Sequence, residues 1–84
     1  MAMDEKIMEL IAVGASITAN CQPCLQYHTE RALEAGADPQ EVAEAIEVGK
    51  TVRRGAAGKM NEFITGFTAT LPAPAGTKTP CCGA

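Results

Sequence analysis

Hydrophobic residues recur along the first seventy positions with the three- and four-residue spacing of amphipathic helices. Asp4 can cap a first helix that extends to about Ala19. Asn20 interrupts this pattern and can cap a second helix, whose first turn tolerates Pro23. The second helix is predicted to end at Gly36, because glycine readily adopts the left-handed conformation that follows a helix. The apolar stripe of the first helix is formed by Ile7, Leu10, Ile11 and Gly14.

A second start signal lies at Asp38-Pro39-Gln40-Glu41. Asp38 is the predicted N-cap, Pro39 the first helical residue, and Glu41 completes a capping box. The apolar pattern loosens around Arg54-Gly55, where we expect a kink or a short turn. A last amphipathic helix is predicted to end near Thr70. The apolar positions of these two segments are Val42, Ala45, Ile46, Gly49 and Val52, then Ala56, Met60, Phe63, Ile64 and Phe67.

The pattern therefore predicts an all-α fold of about four helices over residues 1–70. No strand pattern and no convincing repeat is present. Residues 71–84 are rich in proline and glycine, and we expect an extended or flexible tail that ends in the adjacent pair Cys81 and Cys82.

Composition changes this picture by suggesting self-association. The 84 residues are 46% hydrophobic, but alanine dominates and only Tyr27, Phe63 and Phe67 are aromatic. So small a chain buries little apolar area by itself. We therefore expect a homo-oligomer in which subunits complete one another's cores.

Charge and hydropathy argue against two classes of partner. The net charge is −3 and no basic stripe is interleaved with aromatic residues, so nucleic acid is not an expected partner. The longest apolar stretch, around Ile11 to Ile17, is too short to span a membrane, and the acidic start is unlike a signal peptide. We expect a cytoplasmic protein, in which paired cysteines are more often catalytic or metal-binding than structural.

The segment C-Q-P-C-L-Q-Y-H places Cys21, Cys24 and His28 on one stripe of a helix. The macrodipole favours an anionic thiolate in the first turn of that helix. Two thiols beside an imidazole can store electrons as a disulfide, or they can hold a metal. The spacing alone leaves both readings open.

The metal hypothesis takes two forms. Cys21, Cys24 and His28 with Cys81 or Cys82 could form a tetrahedral zinc site, although no second knuckle completes it within the helical body. The four cysteines could instead bind a soft metal or metalloid. Covalent haem is excluded, because the histidine does not directly follow Cys24.

Glu9 interrupts an apolar run in the first helix. From composition alone, a carboxylate at such a position is more often a solvated helix edge than a catalytic base.

These residues together resemble the alkylhydroperoxidase D and carboxymuconolactone decarboxylase-like family. The matching elements are Glu9 twelve positions before Cys21, the Cys21-Gln22-Pro23-Cys24 motif, His28, and the run that continues from it to Ile46. The resemblance covers about Met8 to Met60.

The resemblance implies an all-helical subunit that assembles into trimers or hexamers, with the thiol site near a subunit interface. It makes Cys24 the peroxidatic thiol, Cys21 the resolving thiol, and Glu9 with His28 a proton relay, which reverses the interpretation of Glu9. Pro23 stands where peroxidase members often carry a further histidine. Decarboxylase members lack the cysteine pair, so decarboxylation is disfavoured.

The resulting hypothesis is a cofactor-free, peroxidase-like thiol oxidoreductase that cycles Cys21 and Cys24 between dithiol and disulfide. Its substrate is expected to be a small peroxide or a disulfide, with a thiol reductant protein as a candidate electron donor. The alternatives are a soft-metal binding protein and a scaffold whose catalysis has lapsed. Cys81 and Cys82 could exchange with the Cys21–Cys24 disulfide, bind a soft metal, or be incidental.

Overall fold

The computed structural model describes residues 2–73. Three helices form this part of the chain: α1, Glu5–Thr18; α2, Gln22–Glu34; and α3, Pro39–Ala69. No strand occurs among the described residues, and the predicted all-α class is confirmed. Most of the predicted tail, including Cys81 and Cys82, lies outside the described residues, so the domain boundary near residue 70 stays a prediction.

Helix α1 begins as its sequence predicts and ends with an unexpected turn. The Asp4 carboxylate accepts a hydrogen bond from the Ile7 N–H at 2.9 Å, which caps the first turn. After α1 ends, Asn20 takes a φ of 56°, a left-handed conformation that asparagine tolerates. Asn20 therefore reverses the chain and does not cap α2, contrary to the prediction. The cap is Cys21, whose Sγ accepts from the Cys24 N–H at 3.2 Å.

The turn between α2 and α3 follows the sequence signals closely. Gly36 has a φ of 105°, where a Cβ atom would be strained. The Asp38 carboxylate accepts from the Glu41 N–H at 2.9 Å, and the Glu41 carboxylate accepts from the Asp38 N–H at 3.1 Å. The predicted capping box is therefore confirmed, with Pro39 as the first helical residue.

Helix α3 runs without interruption for 31 residues, so the predicted kink at Arg54-Gly55 is wrong. A glycine inside a helix costs about 1 kcal/mol relative to alanine, but it keeps the N–H that the helix needs. No proline follows Pro39 within α3 to remove such a donor. Residues 2–73 therefore form three helices where the pattern predicted about four.

A small core lies where α1 packs between α2 and α3. Its buried residues come from all three helices and the α2–α3 turn, and Val13 of α1 is fully buried at the centre. An ion pair of 3.1 Å between Lys6 and Glu41 links α1 to the start of α3. The core comprises Val13, Ala32, Ala37 and Val42, with Leu10, Leu25, Ala45 and Ile46 packed around it.

Two glycines allow α1 and α3 to approach each other closely. A Cβ atom placed on Gly49 would lie 2.5 Å from the Gly14 carbonyl oxygen and 2.9 Å from the Ile17 Cβ. A Cβ atom on Gly14 would lie 3.2 Å from the Ala45 carbonyl oxygen. The contact is therefore between backbones and leaves no room for a side chain at Gly49.

The second half of α3 extends beyond this core. Every residue from 51 to 73 is exposed. Met60, Phe63, Ile64 and Phe67, here called the α3 apolar face, are 47–63% exposed, and the two phenyl rings stack at 5.9 Å. A groove of about 440 Å³ between α1 and α3, lined largely by aliphatic side chains, is also open. None of the helices within residues 2–73 is long and apolar enough to cross a membrane.

Replacing Gly49 with alanine should destabilise the protein, because the new methyl group would meet the backbone of α1. We expect a loss on the order of 1–3 kcal/mol in the free energy of unfolding, measured by urea denaturation followed by circular dichroism. The matched control is Gly58→Ala in the same helix, where an added Cβ meets nothing within 4 Å. That variant should gain up to about 1 kcal/mol. Equal stability of the two variants would contradict the close contact.

Candidate active site

The start of α2 holds the two cysteines together. Cys21 is the N-cap and Cys24 lies in the first turn, so the helix geometry brings their Cα atoms to 5.2 Å. The two sulfurs form a disulfide in this structure. Both residues are partly buried, and Pro23 occupies the first turn between them. The arrangement is an oxidised dithiol at a helix N-terminus.

A carboxylate–imidazole pair joins α1 to α2. Glu9 Oε1 lies 2.7 Å from His28 Nδ1, although the two residues are nineteen positions apart. The side chains are 15% and 31% exposed, respectively. The interpretation of Glu9 as a solvated helix edge is therefore wrong. His28 lies four residues after Cys24 in α2, one helical turn along the same face.

The pair also bears on the tautomer of the imidazole, that is, on which ring nitrogen carries the proton. An ionised carboxylate can only accept hydrogen bonds, so the 2.7 Å contact is a hydrogen bond when His28 Nδ1 carries the proton. In the neutral imidazole, Nε2 is then the nitrogen that can accept a proton. The contact therefore favours the Nδ1–H tautomer of the neutral imidazole.

A second contact between α1 and α2 lies one turn beyond His28. The Arg31 guanidinium donates to the Glu5 carboxylate at 3.1 Å, and this hydrogen bond raises the pKa of Arg31. The Tyr27 ring meets the His28 ring edge to face at 5.0 Å. The ring contact lies within α2, whereas the Arg31–Glu5 hydrogen bond helps to hold α2 in register with α1 on the side of the Glu9–His28 pair.

Helix α3 contributes a residue beside the disulfide that the sequence pattern does not predict. A cleft of about 240 Å³ lies next to Cys21 and is bounded on one side by Arg53. Arg53 Nη1 donates to Asn20 Oδ1 at 3.0 Å and to the Ile17 carbonyl oxygen at 3.4 Å. The full lining is Ser16, Ile17, Asn20, Cys21, Gln22, Leu25 and Arg53. The local sequence signalled only a pair of adjacent arginines, with nothing to connect them to Cys21.

The described part of the chain contains no cluster of metal-ligating side chains that would support the metal hypotheses. Within residues 2–73, no group of three or more histidine, cysteine, aspartate or glutamate side chains is placed to hold a metal. The zinc hypothesis requires Cys81 or Cys82 and the soft-metal hypothesis requires both, and these two residues lie outside that part. The zinc and soft-metal sites therefore stay predictions.

Comparison with known proteins identifies the family. The carboxymuconolactone decarboxylase family matches residues 2–59, and the chain belongs to it. A relative from Paracoccus denitrificans, "Uncharacterized protein 4 in cox locus", is 36% identical over 56 residues. The match covers 67% of this chain and 50% of the relative, so the chain spans about half the relative's length. No solved structure matches significantly. The resemblance found in the sequence is confirmed at the level of the family.

The tautomer of His28 can be measured directly, because His28 is the single histidine of the chain. Nitrogen NMR at a pH where the imidazole is neutral should show the proton on Nδ1. Removing the acceptor by Glu9→Ala should shift the population toward the Nε2–H tautomer, which a free histidine side chain prefers. Glu30→Ala, which removes an exposed carboxylate from α2, serves as the control and should leave the tautomer unchanged. An Nε2–H tautomer in the unaltered protein would contradict the Glu9–His28 hydrogen bond.

Proposed function

We propose that this member of the family is a thiol-dependent oxidoreductase of the peroxidase type, which cycles Cys21 and Cys24 between dithiol and disulfide. One observation carries the proposal: a disulfide at the start of α2 lies one turn from a histidine that is bonded to a partly buried carboxylate. The disulfide can accept two electrons to become a dithiol, which can later give them up, and the Glu9–His28 pair can supply and accept protons. The resemblance to alkylhydroperoxidase D supports the same reading.

The oxidising half of the cycle begins with Cys24. Its thiolate attacks one oxygen of the peroxide, the O–O bond breaks, and the departing oxygen takes a proton to become water or an alcohol. Cys24 is then a sulfenic acid. The Cys21 thiol displaces water from it, and the Cys21–Cys24 disulfide forms. The two thiols have lost two electrons and the peroxide has gained them.

In this mechanism His28 and Glu9 move protons. His28 takes the thiol proton of Cys24 and later protonates the departing oxygen. Glu9 holds the imidazole in the required tautomer and stabilises its protonated form through the 2.7 Å contact. Glu9 acts through His28, so it is a positioning residue. Pro23 stands where a further histidine often occurs in peroxidase members, so here the whole relay depends on His28.

We also propose that the protein acts as a homo-oligomer, a trimer or a hexamer by the resemblance. The support is the α3 apolar face, whose two stacked phenyl rings have no cover within residues 2–73. The open groove between α1 and α3 adds further apolar surface on the same molecule. A second copy of the chain can bury both, since a contiguous apolar patch of this kind is typical of an interface.

The proton relay predicts a specific kinetic defect. Glu9→Gln and His28→Ala should each slow peroxide-driven formation of the Cys21–Cys24 disulfide by roughly ten- to a thousandfold. Stopped-flow oxidation of the reduced protein, with non-reduced mass spectrometry of the product, measures the rate. Circular dichroism confirms that each variant remains folded.

The matched control for this experiment is Glu30→Gln, an exposed glutamate of α2 without a contact to His28. It should oxidise at the rate of the unaltered protein. If Glu9→Gln and His28→Ala also oxidise at that rate, these residues are structural and the relay is wrong. If the unaltered protein forms no disulfide with any peroxide, the proposed function itself fails.

Assembly can be tested on the α3 apolar face. Phe63→Asp should weaken self-association at least tenfold, because a charge would be buried in the interface. Asn61→Asp, which adds a charge to an exposed polar position of the same helix, should leave association unchanged. Sedimentation velocity over a concentration series measures both. A stable monomer of the unaltered protein at micromolar concentration would refute the proposal.

A further inference from the structure

We propose that the cleft beside Cys21 is the binding site for the reductant, and that this reductant is a small thiol carrying a carboxylate. In this proposal Arg53 binds the carboxylate while the thiolate attacks Cys21. The inference rests on the proposed thiol–disulfide cycle and assigns its second half, the reduction of the disulfide.

The position of the cleft selects one of the two sulfurs. Cys21 lines the cleft, whereas Cys24 does not. The Glu9–His28 pair is not part of the lining either, so the cleft is separate from the groups that serve the peroxide. A molecule that enters the cleft therefore approaches the disulfide from the side of Cys21.

The charge of Arg53 selects an anion. Within residues 2–73, no carboxylate lies within ion-pair distance of this guanidinium. Its Nη1 is used by neutral acceptors, namely Asn20 Oδ1 and the Ile17 carbonyl oxygen. These two contacts hold the exposed side chain at the edge of the cleft, and no carboxylate of residues 2–73 forms an ion pair with it. The planar guanidinium is well suited to a carboxylate.

The dimensions of the cleft favour a small molecule. Its volume of about 240 Å³ is below the roughly 300–1,000 Å³ of sites that enclose drug-sized ligands. The polar groups of Asn20, Gln22 and Arg53 share the lining with aliphatic Ile17 and Leu25. A thiol whose carboxylate is a few bonds from its sulfur matches the juxtaposition of Arg53 and Cys21.

The exchange balances without any further reagent. The thiolate of the reductant attacks Cys21 Sγ, a mixed disulfide forms, and the Cys21–Cys24 bond breaks to release Cys24 as a thiolate. A second thiolate then attacks the reductant's sulfur in the mixed disulfide. The two reductant molecules leave joined as a disulfide, the bond to Cys21 breaks, and Cys21 becomes a thiolate. Attack at Cys21 therefore frees first the cysteine that the proposed function needs for the next peroxide.

The experiment measures the rate at which two probe thiols reduce the oxidised protein. Thioglycolate carries a carboxylate, and β-mercaptoethanol carries a neutral hydroxyl group in its place. The readout is the ratio of the two second-order rate constants. Arg53→Ala should lower this ratio roughly three- to tenfold, and Arg53→Lys should restore part of it. Arg54→Ala removes an adjacent exposed arginine and should leave the ratio unchanged. Added salt should lower the ratio in the unaltered protein.

Two results would overturn the proposal. One is an unchanged ratio in Arg53→Ala, which would mean that Arg53 only supports the turn at Asn20. The other is tandem mass spectrometry that places the thioglycolate adduct on Cys24 after rapid quenching with an alkylating agent. Because the disulfide can be formed with a chemical oxidant, these readouts remain available even if no peroxide oxidises the protein. Failure of the peroxidase function is thus distinguishable from failure of the reductant site.

Discussion

The close packing of α1 against α3 is the constraint on which the rest of the structure depends. Gly49 approaches the Gly14 backbone so closely that a single added carbon atom would collide with it. One helical turn after Gly49, Arg53 reaches the end of α1 and the Asn20 turn. The steric contact therefore sets the position of a charged group beside Cys21.

The features that the sequence predicted correctly are those whose interacting residues lie close together along the chain. The α3 capping box and the left-handed Gly36 involve residues within four positions of one another, and both were predicted correctly. Asn20 was misassigned because asparagine suits both an N-cap and a left-handed turn, and local pattern does not separate the two roles. The kink at Arg54-Gly55 was wrong because an exposed helical segment keeps its backbone hydrogen bonds without a regular apolar stripe, so weak periodicity does not require a break.

The candidate site was harder to predict, because its contacts join distant parts of the chain. The Glu9–His28 bond spans nineteen positions, and only the resemblance to a family indicated it. The contact between Arg53 and Asn20 spans 33 positions, and neither periodicity nor the resemblance pointed to it. In both cases the side chain looked like an ordinary charged residue of an amphipathic helix until the packing of α1 placed it against its partner.

The uninterrupted α3 helix connects the proposed site to the proposed assembly. Its first half packs on α1 and carries Arg53, and its second half carries the α3 apolar face, with no kink between them. Phe63 and Arg53 lie on one unbroken helix, ten residues and about 15 Å apart. In the proposed oligomer, a neighbouring copy that contacts Phe63 would therefore also restrain the position of Arg53. In the proposed mechanism, the residues that transfer the proton lie on α1 and α2 alone. Oligomerisation would therefore affect reduction at Cys21 more than oxidation at Cys24.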